Sequence, residues 1–223
     1  MNKQLFTFLT QLTENNNKEW FDINRKQYEA LRVDFIDLVQ QIINEIAKFD
    51  KSVANLDAKK CIFRINRDIR FSKNKSPYKN NFGAYINGNG KKSAHAGYYL
   101  HVQPKNSFIA GGMWQPESPI LTKIRQEIDY NSKEFLKIVD SKNALLHFGG
   151  LEKTDILKTM PKGYDATLKY AEYLRLKSFV FTKAISNKDF DHESFIKNIG
   201  NAYKNIYPLN TFLNRVLDDE DAS

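Results

Sequence analysis

The sequence predicts an α+β fold in a single domain, with a mostly antiparallel sheet flanked by helices. Three observations lead there. Apolar residues recur at helical spacing toward both ends of the chain. Between them the pattern shifts to alternation, with short apolar runs set apart by turn residues. Strands and helices do not repeat as βαβ units, so nothing calls for a parallel sheet.

Leu5, Phe8, Leu9 and Leu12 form a short amphipathic helix. Asn15 to Asn17 interrupts it, and Asn16 followed by Glu19 reads as a capping box opening the next helix. That helix is expected to run to about Phe49, because Tyr28, Leu31, Phe35, Leu38, Ile42 and Ile46 recur three and four residues apart. These residues should share one buried face and pack on the strand block at Phe82–Trp114. Trp20 and Phe21 fall in its first turn and read as core.

After Asp50 the chain reads as extended. Lys60–Asn66 and Phe82–Asn87 are expected strands. Gly97–Gln103 and Ser107–Trp114 make an expected hairpin around Pro104-Lys105-Asn106. In its first strand Tyr98, Leu100 and Val102 oppose Tyr99, His101 and Gln103, so one face is apolar and the other is free to line a site. Gly111-Gly112 leaves the second strand bare, a sign of a bulge or of close approach by a ligand. Pro116–Tyr130 and Ser132–Asp140 read as helices, Leu145–Phe148 and Thr154–Lys158 as short strands. A helix is expected near Ala166–Leu174 and a strand at Lys177–Ala184. A final helix starts near Asp191, with Pro208 kinking or restarting it.

The composition supports one sizeable core, since 41% of the 223 residues are hydrophobic and no linker or repeat divides them. The domain is expected over residues 1–217, and 218–223 reads as an acidic disordered tail. The single cysteine, Cys61, excludes an internal disulfide and sits beside an apolar run, where a buried reduced thiol is expected. No stretch suits a signal peptide or a membrane span, so a cytoplasmic location away from membranes is expected.

The charge is not evenly spread. The formal net charge is +8, yet Lys59–Lys92 holds ten of the 34 basic residues and one of the 26 acids, Asp68. So dense a run of cations points to an anionic partner. Within it Phe63, Ile65, Ile69 and Phe71 fall on one parity of an extended chain and Arg64, Asn66, Asp68 and Arg70 on the other. Arg67 breaks that pattern: either the strand ends and the chain turns, or Arg67 is buried with a partner. Ser76-Pro77 reads as a turn.

The run Arg64-x-x-Arg67-Asp68-x-Arg70-Phe71-x-x-Asn74-Lys75-x-x-Tyr78 resembles the signature of the domain of unknown function 2461 family, widely distributed and mostly bacterial proteins of about this length. Other stretches match as well: Asn15-Asn16-Asn17-Lys18-Glu19-Trp20-Phe21, Gly97-Tyr98-Tyr99-Leu100-His101, Gly111-Gly112-Met113-Trp114 and Pro161-Lys162-Gly163-Tyr164-Asp165. The resemblance covers most of the chain. It implies where a site lies and implies no reaction or cofactor.

Other chemistries find little support. His95, His101, His147 and His192 never come in ligand pairs of useful spacing, so no metal site is expected. Gly83 and Gly88 have P-loop spacing, but Asn89 and Gly90 stand at the Lys and Ser/Thr positions. Neither a GxSxG elbow nor a dinucleotide fingerprint occurs.

The cations remain. Arginine offers a planar fork of donors suited to phosphate or carboxylate. The expected site is an arginine-rich pocket for a phosphorylated or other anionic small molecule, with Arg64, Arg67 and Arg70 as the clamp and Lys75 and Lys79 adding charge. Tyr78 would donate a hydrogen bond or stack on a base, and Trp114 joins the ligand-binding set. Asp68 would orient an arginine or act as general base, and His101 is the best histidine for proton transfer. The sequence leaves open whether any bond is broken. Two alternatives stand beside this reading. One is a sequence-tolerant nucleic-acid binder. The other is an interaction protein whose arginines form a structural ion-pair network through Glu19, Asp22 or Glu29.

Overall fold

The alternation between Phe82 and Trp114 becomes three consecutive strands of one sheet: β1 (Phe82–Ile86), β2 (Gly97–Val102) and β3 (Ser107–Met113). A fourth strand, β4 (Phe179–Ile185), completes the order β1-β2-β3-β4 in an antiparallel arrangement flanked by helices, which is the α+β class expected. The computed structural model describes residues 2–218. Of the acidic tail expected at 218–223, residues 219–223 lie outside the described residues, and Asp218 is the last residue of a helix rather than disordered.

The contacts gather into two compact units, neither continuous in sequence. The first comprises Met1–Lys91, Tyr99–Ile109 and Ala184–Gly200, and the second comprises Lys92–Tyr98, Ala110–Lys183 and Asn201–Ser223.

In the first unit α1 (Asn2–Glu14) buries Leu5, Phe8, Leu9 and Leu12, as its spacing requires. The next helix is not continuous. It divides into α2 (Lys18–Ile23) and α3 (Arg25–Ile46), with Asn24 ending one and starting the other. Asn17, not Asn16, caps α2 by accepting from the Trp20 N–H, and with Trp20 at the third helical position the expected capping box with Glu19 does not form. Along α3, Leu31, Phe35, Leu38, Ile42 and Ile46 are buried and Tyr28 half-buried, the stripe expected. It packs on β1 through aromatic rings: Phe82 lies 5.8 Å from Tyr28 and 5.2 Å from Phe35. The strand expected at Lys60–Asn66 begins instead as a helical turn, α4 (Ala58–Cys61), because Asp57 caps it through the Lys59 N–H. Only single antiparallel bridges follow, Ile62 to Ala84 and Asn66 to Tyr78. Cys61 is free and buried.

In the second unit α5 (Ser118–Tyr130) and α6 (Ser132–Val139) follow their patterns. The expected strand at Leu145–Phe148 is part of a helix, α7 (Lys142–Phe148): Ser141 caps its start and Gly149, at φ 73°, ends it. Both signals stand in the sequence and outweigh the short, mostly apolar stretch between them. Thr154–Lys158 contributes one bridge, Ile156 to Leu176, rather than a strand. The helix expected over Ala166–Leu174 shrinks to α8 (Ala171–Leu174). The last helix, α9 (Phe195–Asp218), starts in the first unit and continues through Pro208 without restarting. Its second half packs in the second unit, where Phe212 meets Phe135 at 5.3 Å and Tyr203 meets Tyr98 at 5.1 Å. No helix among the described residues is long and apolar enough to cross a membrane.

Candidate functional site

The basic motif is built on β1. The Phe63 N–H donates to the Gly83 carbonyl (2.9 Å), which lays the chain beside that strand. It then folds back on itself, with the Lys79 N–H donating to the Ile65 carbonyl (2.8 Å) and the Arg67 N–H to the Pro77 carbonyl (2.9 Å). Residues 68–76 close this irregular hairpin as a loop, so the chain turns where Arg67 breaks the alternation.

Asn16 docks the hairpin to the N-terminal helices. Its side-chain amide donates to the Tyr78 carbonyl (3.0 Å), and its side-chain oxygen accepts from the Tyr78 N–H (3.1 Å). The buried Tyr78 ring stacks on Phe21, with centroids 4.0 Å apart and planes 17° apart. That face of Tyr78 is occupied by protein.

Several motif residues hold the loop itself. The half-buried Arg67 donates to the Ser76 carbonyl (3.0 Å) and the Ser72 hydroxyl (3.3 Å). The Lys75 ammonium donates to the Ile69 carbonyl (3.1 Å), and Asn74 accepts from the Ser76 N–H (2.9 Å). Asp68 and Arg70 pair at 2.6 Å on the exposed surface. The Arg70 guanidinium holds the Asp68 carboxyl below its usual range, which makes it a weaker base. Asp22 engages Arg25, and Asp68 is the one carboxylate paired with Arg64, Arg67 or Arg70 among the described residues.

A second group of cations gathers around Phe63. The Lys79 ammonium lies 5.4 Å from the Phe63 centroid and donates to the Arg64 carbonyl (3.0 Å). The Lys91 ammonium lies 5.8 Å from the same ring and donates to the Ile62 carbonyl (2.7 Å). The exposed Arg64 guanidinium has no hydrogen-bond or ion-pair partner among the described residues. The Lys79 ammonium is pushed below its ordinary pKa by burial, with Arg64 and Lys91 adding like-charge repulsion.

The polar face expected on β2 adjoins this cluster. Tyr99 meets Phe63 edge-on at 6.2 Å. His101 lies between hydrogen-bonding partners, with Tyr99 Oη 3.0 Å and Asn81 Nδ2 3.4 Å from its Nδ1 and Gln103 Oε1 2.9 Å from its Nε2. Because Gln103 Oε1 can only accept, Nε2 carries the proton, and the Tyr99 hydroxyl donates to the Nδ1 lone pair. Burial lowers the His101 pKa, opposed by the Gln103 hydrogen bond, and burial raises that of Tyr99. The His101 ring stacks on Phe108 at 4.7 Å. Gly83 makes room for this row, since a Cβ there would lie 3.0 Å from Tyr99 Oη.

A family profile described as a conserved hypothetical protein, DUF2461, matches residues 4–212. The chain belongs to the DUF2461 family. The match spans both units, and the motif, the Asn16 dock and the β2 face all fall inside it. Nothing among the curated proteins or the solved structures matches the chain.

Of the expected site residues in this DUF2461 protein, Arg64 and Lys79 are brought together, with His101 along the adjoining face. Arg67, Lys75 and Tyr78 serve the loop, and Asp68 and Arg70 serve each other. Trp114 follows β3 in the second unit and is 59% exposed. Sequence reasoning did not assign Phe63, Lys91, Tyr99, Phe108 or Asn16 to the site. The β2 alternation marked Tyr99, but no local signal marks Asn16, whose partner lies 62 residues away.

Proposed function

We propose that this DUF2461 protein binds a phosphorylated or other anionic small molecule at the cationic surface formed by Arg64, Lys79 and Lys91. The observation that carries the reading is the gathering of cations at the Phe63 ring, where the Lys79 and Lys91 ammoniums lie 5.4 Å and 5.8 Å from its centroid and Lys79 also bonds the Arg64 carbonyl. Lys79 is partly buried, its ammonium is opposed by both neighbours, and no carboxylate acts on it among the described residues. An oxyanion placed there would relieve the repulsion and accept from all three. Arg70, oriented by Asp68, adds a further exposed cation, while Arg67 and Lys75 shape the loop. His101, neutral at pH 7, is the group for proton transfer, because the carboxylate of Asp68 is held low. The cytoplasm fits the free, buried thiol of Cys61.

A thermal-shift screen of wild type, Arg64→Gln and Lys79→Gln against phosphate, sulfate and phosphorylated metabolites tests this. Saturating anion should raise the wild-type Tm by several degrees, since a ligand at a hundred times its Kd adds about 2.7 kcal/mol. Both variants should lose that shift. No shift in wild type with any anion would overturn the proposal.

One observation favours a second reading, sequence-tolerant binding of single-stranded nucleic acid. Phe71 is 95% exposed, and the Arg70 guanidinium lies 5.8 Å from its ring. An exposed ring beside a cation suits a base and its phosphate.

A further inference from the structure

We infer that the anion bound at Arg64, Lys79 and Lys91 carries an aromatic base, that is, a nucleoside phosphate group. This rests on the anion-site reading above and narrows it. The cations do not stand alone: two of them flank the Phe63 ring, at 5.4 Å and 5.8 Å from its centroid. Phe63 is 39% exposed, which leaves a large apolar ring in water beside charges that would hold a phosphate. From it a continuous row of rings runs across the sheet face, from Phe63 to Tyr99 (6.2 Å), Tyr99 to Phe108 (5.7 Å) and Phe108 to His101 (4.7 Å). Tyr99, His101 and Phe108 are half-buried, not sealed into the core.

A sugar phosphate or inorganic phosphate has no use for such a row. A nucleotide joins a flat ring to its phosphate through one sugar, and here the aromatic row begins at the ring that the two lysine ammoniums flank. Stacking of a base on aromatic side chains is favourable for every base, because each has a π face. Edge readers are present as well. Asn81 and Gln103 each spend half of the side-chain amide on His101, which leaves Asn81 Oδ1 and Gln103 Nε2 without a protein partner among the described residues. An acceptor and a donor at the margin of an aromatic row match the complementary groups on a base edge.

The test measures binding of the full chain to adenosine monophosphate, uridine monophosphate, ribose 5-phosphate, inorganic phosphate and a ten-nucleotide oligothymidylate. At least one nucleoside monophosphate should bind roughly tenfold or more tighter than ribose 5-phosphate, a gain within the range of one stacked base. Phe63→Leu should remove most of that preference, so that the variant binds nucleoside monophosphate and ribose 5-phosphate about equally. A second measurement needs no variant: in saturation-transfer NMR on wild type, the base protons of the nucleotide should receive more saturation than its ribose protons. Monophosphates and oligothymidylate separate the two sources of the same group, a free nucleotide if the monomer binds as tightly as the oligomer and a single strand if the oligomer binds far tighter. Equal binding of nucleoside and ribose phosphates, with saturation confined to the ribose, overturns this inference and leaves the anion site standing. Absence of binding by every probe overturns both.

Discussion

At the scale of single residues the motif divides its arginines between two jobs. Arg67 turns inward and satisfies Ser76 and Ser72, while Arg64 faces outward beside Lys79. Charge-assisted hydrogen bonds contribute about 1.5–3 kcal/mol, so Arg67→Ala should lower the Tm by several degrees. Arg64→Gln should leave it unchanged or raised, because repulsion of Lys79 is relieved. Melting curves of the two variants side by side check this, and equal losses would place Arg64 in the fold as well. His101 gives a pH prediction. Its folded pKa is depressed by burial among Tyr99, Asn81, Gln103 and Phe108, so the unfolded chain binds a proton more readily. Its contribution to stability is therefore complete above about pH 6.5, the unfolded value, and is lost as pH falls through the folded pKa. As pH falls below about 6.5, the Tm of wild type should fall more steeply than that of His101→Gln. Parallel curves would remove His101 from the acid response.

At the scale of elements, two close contacts decide whether pieces stay in register. Asn16 completes both backbone hydrogen bonds of Tyr78, the anchor of the basic hairpin. Asn16→Ala leaves a buried N–H and C=O unsatisfied, at a cost of about 1–3 kcal/mol. Amide hydrogen exchange in residues 62–79 should accelerate more than exchange in α3. Uniform acceleration would mean that Asn16 supports the whole unit and not this hairpin. In the second unit Gly112 sits at φ 125°, and a Cβ there would lie 1.9 Å from the Phe179 carbonyl oxygen. The bare backbone read at Gly111-Gly112 thus has structural causes, the close approach of Ile206 to Gly111 and of β4 to Gly112. Gly112→Ala should separate β3 from β4 locally and lower the Tm by well over the few degrees typical of a surface change. A variant as stable as wild type would show that β4 can move aside freely.

At the scale of the whole molecule the charge pattern predicts a salt response. The whole of the net +8 arises from Lys59–Lys92, so binding of a single strand would draw on a local set of contacts rather than on a uniformly basic surface. Neutralising three phosphates through Arg64, Lys79 and Lys91 gives log K a slope of roughly −2 against log salt. Fluorescence anisotropy with a labelled oligonucleotide measures that slope, and Lys79→Gln should make it shallower by about 0.7. Affinity that ignores salt would exclude this reading. Of the four basic residues in Arg64-x-x-Arg67-Asp68-x-Arg70-Phe71-x-x-Asn74-Lys75, Arg67 and Lys75 hold their own loop.

What the sequence determined by itself is whatever depends on neighbours along the chain. The spacing of Leu31, Phe35, Leu38, Ile42 and Ile46 specifies a buried helix face, and the alternation of Tyr98 with Tyr99 through Gln103 specifies a strand with one polar side. The density of cations is legible for the same reason, since charge adds along a segment wherever that segment goes. The local reading failed where two short-range signals competed, as at Leu145–Phe148, where the Ser141 and Gly149 caps prevailed. Only the tertiary structure decided the rest. Lys91 reaches Ile62 across 29 residues and Asn16 reaches Tyr78 across 62, so periodicity holds no trace of either contact. Which cations face outward is set by which backbone carbonyls the fold leaves within reach. Arg67, Lys75, Lys79 and Lys91 each find one, and the Arg64 guanidinium finds none among the described residues.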